Sequence, residues 1–161
     1  NIKGITPKPL YVKSNNDAPI NLSGKINLVS LISTGTGDIT INKIISNHLD
    51  VEDGGTGNLN LLGDNIGLKS LLYTGSGALN IFNVYSTGLC IRTSGKGGVI
   101  NIGGQAKLNT LVATGHTDLN LLWLFSDKLK VWLDSFSHVR LAGTAVELDG
   151  MIRGDSSLDA K

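Results

Sequence analysis

One cysteine, Cys90, is the whole thiol inventory, so no disulfide framework within the chain is possible. Three prolines in 161 residues leave extended segments largely uninterrupted. Aromatics make up only 5% against 40% hydrophobic residues, so the core is expected to be aliphatic. Charge is scarce and balanced, with 14 basic and 13 acidic residues, which removes the electrostatic footprint expected of a nucleic-acid or anionic-membrane binder. No apolar run approaches the ~18–20 residues of a membrane-spanning helix. The chain opens on Asn1 with no methionine and no signal-like apolar stretch and is read as a trimmed piece or a processed mature domain.

Glycine is what the chain has in abundance, 21 residues, and it is placed periodically. Gly35-Thr36-Gly37 recurs as Gly55-Thr56-Gly57, Gly75-Ser76-Gly77 and Gly95-Lys96-Gly97, then decays to Gly115-His116-Thr117 and Ser135-Phe136-Ser137. The positions 35, 55, 75, 95, 115 and 135 set a step of 20 residues. An apolar column precedes the turn, running Tyr11, Leu31, Val51, Leu71, Ile91, Leu111, Val131 and Met151. Two more follow it, Ile39, Leu59, Leu79, Val99, Leu119, Val139 and Ile41, Leu61, Ile81, Leu121, Leu141. One extra residue, Gly98, shifts Ile100-Asn101-Ile102 by one and predicts a bulge at a corner; Ile20-Asn21-Leu22 matches the shifted version.

Apolar positions alternate within each unit, as in Leu59-Asn60-Leu61, which is the period of a strand. Even the Leu119–Lys130 run, the nearest to a helical stripe, keeps that register. The corner glycines are expected to supply positive φ for a tight reversal. The chain is therefore read as all-β, a right-handed parallel β-helix solenoid of about eight coils. It forms a single domain over residues 1–161 with incomplete first and last coils. Stacking at roughly 4.8 Å gives a rod on the order of 35–40 Å long.

The blocks Thr34-Gly-Thr-Gly-Asp-Ile39 and Thr74-Gly-Ser-Gly-Ala-Leu79, with strands such as Leu49-Asp-Val51, resemble the auto-transporter adhesin head (GIN) domain family over about residues 29 to 150. That resemblance implies a parallel β-helix in a bacterial envelope protein, an extracytoplasmic location and a binding or adhesion role. It transfers no functional residues. The last two coils depart from the pattern at Ser135 and Ser137.

Few residues carry chemistry. Asp50 and Glu52 would face the same side of a strand roughly 7 Å apart, a separation compatible with a glycosidase pair. Their stacked neighbours Ser30, Ser70, Ile32 and Leu72 supply no base or platform, and a solvated edge is the simpler reading. Asp118 and His138 share a column, with His116 nearby; zinc or a plain Asp–His hydrogen bond would each account for them. His48 has no partner in register, and Cys90 falls in a semi-exposed column with Ser70 and Thr110. The repeated Gly-x-Gly elements lack the helix a phosphate loop needs. No cofactor and no metal are therefore expected.

Two outward columns stand out. Asn60, Asn80, Asn101 and Asn120 are expected to form a hydrogen-bonded amide ladder. Beside the inward column lies a stripe of Ile32, Glu52, Leu72, Arg92, Val112, Trp132 and Ile152, which alternation places outside. Its apolar members, Ile32, Leu72, Val112 and Trp132, form the candidate binding surface, for a protein or glycan partner or for self-association. A bend in the strand would instead make them core. The expected function is a non-enzymatic scaffold; the alternatives are an oligomerisation module or a carbohydrate-active enzyme using Asp50 and Glu52.

Overall fold

The computed structural model describes residues 2–3 and 6–161, with side chains from Lys8 onward. Eleven strands follow one another with no helix among the described residues. They are β1 (Ile2–Lys3), β2 (Thr6–Ser14), β3 (Ile20–Ser23), β4 (Ile26–Ser33), β5 (Ile39–Asp53), β6 (Leu59–Tyr73), β7 (Leu79–Thr93), β8 (Lys96–Ala113), β9 (His116–Leu133), β10 (Phe136–Ile152) and β11 (Ser157–Ala160). Every pairing is parallel and joins each coil to the next, which makes a β-solenoid of about eight turns. Leu59 pairs with Leu79 and Leu61 with Ile81, so like residues stack inside the rod. Leu31, Val51, Leu71, Ile91 and Leu111 all point inward and are buried. The core is aliphatic, as the composition requires: Tyr73 is its one aromatic.

Three column assignments need correction, each for a shift in register. Tyr11 is exposed because it pairs with Ser30; Val12 opposite Leu31 takes the inward place. Val99 is exposed and Ile100 buried, since the extra glycine displaces the strand by one residue. Met151 pairs with Trp132 and Gly150 with Val131, because a bulge at Ala142/Gly143 shortens the last coil. The same bulge moves Ile152 out of the outward stripe and opposite the inward Leu133.

The reason for the repeated glycines also differs from the expectation. Gly35, Gly55, Gly75 and Gly95 do not adopt positive φ. They are needed because a Cβ at Gly75 would lie 2.2 Å from the carbonyl oxygen of Gly55, and one at Gly55 would lie 2.4 Å from that of Gly35. The coils approach this closely because the backbone ladder continues through the corner: Thr56 N donates to Gly35 O, Ser76 N to Gly55 O and Lys96 N to Gly75 O. Positive φ appears where the motif decays, at Gly115 (83°) and at its successor Ser135 (71°).

Tyr73 explains the extra residue at Gly98. The next coil opens above its ring, and its hydroxyl donates to Gly77 O (2.7 Å) and Gly97 O (3.1 Å). A Cβ at Gly98 would sit 2.1 Å from that hydroxyl. Gly97 and Gly98 both take positive φ as the chain detours around it.

Candidate functional site

The stripe is surface. Register carries it from Ile32 to Glu52, Leu72, Arg92, Val112, Trp132 and Met151. Leu72 is 40% and Trp132 43% exposed, while Ile32 and Val112 are half-buried by their neighbours. Near the C-terminal end the stripe borders a shallow groove of about 380 Å³ between Val112, Trp132, Met151, Thr110, Lys130 and Asp149. The guanidinium of Arg153 lies 5.5 Å from the Trp132 ring centre, a cation–π distance.

The carboxylate pair is tied into the coil stack. Asp50 accepts a hydrogen bond from Ser70 Oγ on the next coil at 2.5 Å and contacts His48 Nε2 at 3.0 Å. His48 thus has a partner on its own strand, two residues along, which a search restricted to stacked columns overlooks. Glu52 is exposed beside it. Asp118 and His138 are register neighbours as expected, but His138 Nδ1 turns to Ser157 Oγ at 2.9 Å. His116 stacks on Phe136 with ring centres 4.5 Å apart. The three do not converge, and among the described residues no group of three or more His, Cys, Asp or Glu could hold a metal ion. Cys90 is half-buried between Ser70 and Thr110.

The amide ladder forms with one polarity. Asn80 Nδ2 donates to Asn60 Oδ1, Asn101 to Asn80 and Asn120 to Asn101, all at 2.8–2.9 Å. Arg140 Nη1 continues it onto Asn120 Oδ1 at 3.4 Å. Asn80, Asn101 and Asn120 each give and accept along the axis, so the column pairs its own amides at a half-buried position.

A polar strip runs inside the rod through Ser33, Asp53, Tyr73 and Thr93. Asp53 Oδ1 accepts from Gly55 N at 3.1 Å, and its Oδ2 has no hydrogen-bond partner. Burial pushes the Asp53 carboxyl above its ordinary range, with the Gly55 amide and the Ser33 hydroxyl pulling back. Burial, and then the nearby Asp53 charge, push the Tyr73 phenol up to about 12, which keeps it a donor.

One surface escapes a search for 20-residue columns. At the corner opposite the glycines, Lys43, Asn83 and Trp123 hold positive φ of 61°, 61° and 65°. Each lacks a partner in the neighbouring strands, so each is a one-residue bulge. The bulge recurs at every second coil, and its signal is a 40-residue sub-repeat: Asn42-Lys-Ile-Ile-Ser-Asn-His-Leu49, Phe82-Asn-Val-Tyr-Ser-Thr-Gly-Leu89 and Leu122-Trp-Leu-Phe-Ser-Asp-Lys-Leu129. Ser46, Ser86 and Ser126 point inward after it, and Ile45, Tyr85 and Phe125 point outward. Lys69 and Asn109, unpaired to the preceding strand in the intervening coils, restore the register. With Phe82 and Trp123, this corner exposes four of the chain's eight aromatic residues.

No family model, curated protein or solved structure matches the chain.

Proposed function

We propose that the chain is a non-enzymatic binding scaffold of a bacterial envelope, extracytoplasmic and adhesive in role. The stripe of Ile32, Leu72, Val112 and Trp132 would face a protein partner. One observation carries this reading: seven of the eight aromatic residues are exposed, on a rod whose interior is otherwise aliphatic. Large aromatics bring the greatest gain on burial and dominate binding contacts, so a fold that displays them has surfaces meant to be covered. The resemblance to the adhesin head family supports the location and the role. Asp50 is engaged by Ser70 and His48, an arrangement that suits a coil-to-coil tie better than catalysis.

The test is Leu72→Lys combined with Val112→Lys, followed by mass in solution and thermal stability. Loss of an assembly with unchanged stability is the expected result. A collapse in stability would return the stripe to the core, and a wild type that is monomeric with unaltered behaviour on mutation would remove self-association.

A further inference from the structure

Two grooves, of about 220 and 400 Å³, flank the Tyr85 ring at the corner of the positive-φ bulges and share Asn65 as a second wall. Their polar lining is mainly uncharged: Asn47 and Thr87 on one side, Asn83 and Gln105 on the other. Asp64 and Lys69 contribute one charge of each sign. Farther up the rod, Lys107 and Asp127 neutralise each other in an ion pair. Phe125 is next to Lys107 in register, and Leu122 and Trp123 precede it on the same strand. From Asp64 to Asp127 the surface combines flat aromatic faces with planar amides and its charges balance, with Lys43 a coil farther down.

The spacing is specific. Tyr85 pairs with Gln105, which immediately precedes Ala106; Ala106 pairs with Leu124, which Trp123 immediately precedes. An aromatic, an amide and an aromatic therefore follow one another on three successive coils. Two coils separate the rings along the axis, roughly 9.6 Å at the ordinary strand spacing. A β-1,4-linked pyranose chain is a flat, extended ribbon that advances by about one such spacing per sugar and turns alternate sugars over. The same sugar face thus recurs every second coil, as the aromatic side chains do. The C–H-rich face of a pyranose packs on an aromatic ring, and its hydroxyl edge both gives and accepts hydrogen bonds, as Asn and Gln amides do.

Trp123 adds an independent reason. It is 74% exposed and holds a left-handed backbone conformation that disfavours bulky side chains. At the equivalent place two coils below stands Asn83, a residue that tolerates this conformation well. A large apolar ring kept exposed at a strained position has no packing role to justify it, and strain of this kind gathers at functional sites.

We propose that this corner binds a neutral β-1,4-linked polysaccharide along the rod axis, one sugar per coil, with Tyr85 and Trp123 as platforms and Asn65, Asn83 and Gln105 as hydrogen-bonding partners. This surface is separate from the apolar stripe, and the two readings fail separately. The experiment titrates the whole chain with cellohexaose and with chitohexaose, reading heat and tryptophan fluorescence, with glucose and N-acetylglucosamine as monomer controls. At least one hexasaccharide binds, at least tenfold more tightly than its monomer. Tyr85→Ala and Trp123→Asn each weaken binding at least tenfold, while Leu72→Lys with Val112→Lys leaves it unchanged. The thermal midpoint of Trp123→Asn is equal to or above that of the wild type. Failure of both hexasaccharides to bind overturns the proposal, as does binding that survives both corner substitutions. A lowered midpoint for Trp123→Asn would make the ring a packing residue. An assembly of the wild type that dissociates on Phe125→Ala, without sugar binding, would give the corner to a protein contact.

Discussion

The two corners of the coil solve the same problem in opposite ways. At the glycine corner, successive coils touch backbone to backbone, so Gly35, Gly55 and Gly75 leave no space for a side chain. Across the rod, the chain turns by inserting a residue at Lys43, Asn83 and Trp123, whose side chains are exposed, although the Asn83 amide still donates to Gly63 O of the coil below. Close approach excludes side chains from one corner, while the other carries them outward. The latter gathers half of the aromatics.

Substitutions at the two corners should accordingly have opposite signs. Gly75→Val places a branched side chain against the Gly55 carbonyl and should cost on the order of 5 kcal/mol, at the severe end for point mutants. A urea midpoint within 1 M of the wild type would refute the close-approach account (about 1–3 kcal/mol at typical slopes). Leu71, buried on the strand leading into that corner, should lose about 2–5 kcal/mol on truncation to Ala. Little change there would mean that the inward column is not what holds the coils together.

Asp53, just before the glycines, makes the corner pH-sensitive. Its folded-state pKa is raised from 3.8 by burial, so the native state holds its proton to higher pH than the unfolded chain does. The stability linked to this group is fully present below the unfolded pKa and is lost as pH rises through the folded one. Asp53→Asn keeps an acceptor for Gly55 N and should be more stable than the wild type at pH 7, the difference shrinking toward pH 3. Parallel pH profiles for the two proteins would contradict this. The smallest effect belongs to the opposite corner: Lys43→Gly relieves a left-handed backbone and should gain about 0.5 kcal/mol. A loss there would show that the bulge is held by the Lys43 side chain and not by closure of the strand.

Much of the fold was legible because stacking makes position 31 resemble 51 and 71, and periodicity alone then identifies the inward face. The Asn ladder was legible for the same reason. Asn101, displaced by Gly98, still found its partners at 80 and 120. What stayed hidden depends on two coils at a time. Tyr73 and Gly98 are linked through space across 25 positions, with no repeat to announce the pair. The bulges at 43, 83 and 123 share only a turn geometry and an inward Ser, and a 20-residue alignment mixes them with the unbulged coils between. Gly35, Gly55, Gly75 and Gly95 were found for the right positions and the wrong reason, whereas Gly97 and Gly115 do take the expected positive φ; sequence cannot separate a need for positive φ from a need for close approach. His48 was missed because its partner lies along the strand and not across coils.

The one-way amide ladder has a mechanical consequence. Its bonds, and the backbone bonds beside them, run parallel to the rod and join coil to coil in series. Under tension applied between the ends, every coil junction bears the same load, and the weakest yields first. Rupture should then spread one coil at a time, each event releasing about 20 residues and roughly 70 Å of slack chain. The rod would lengthen under load by equal increments.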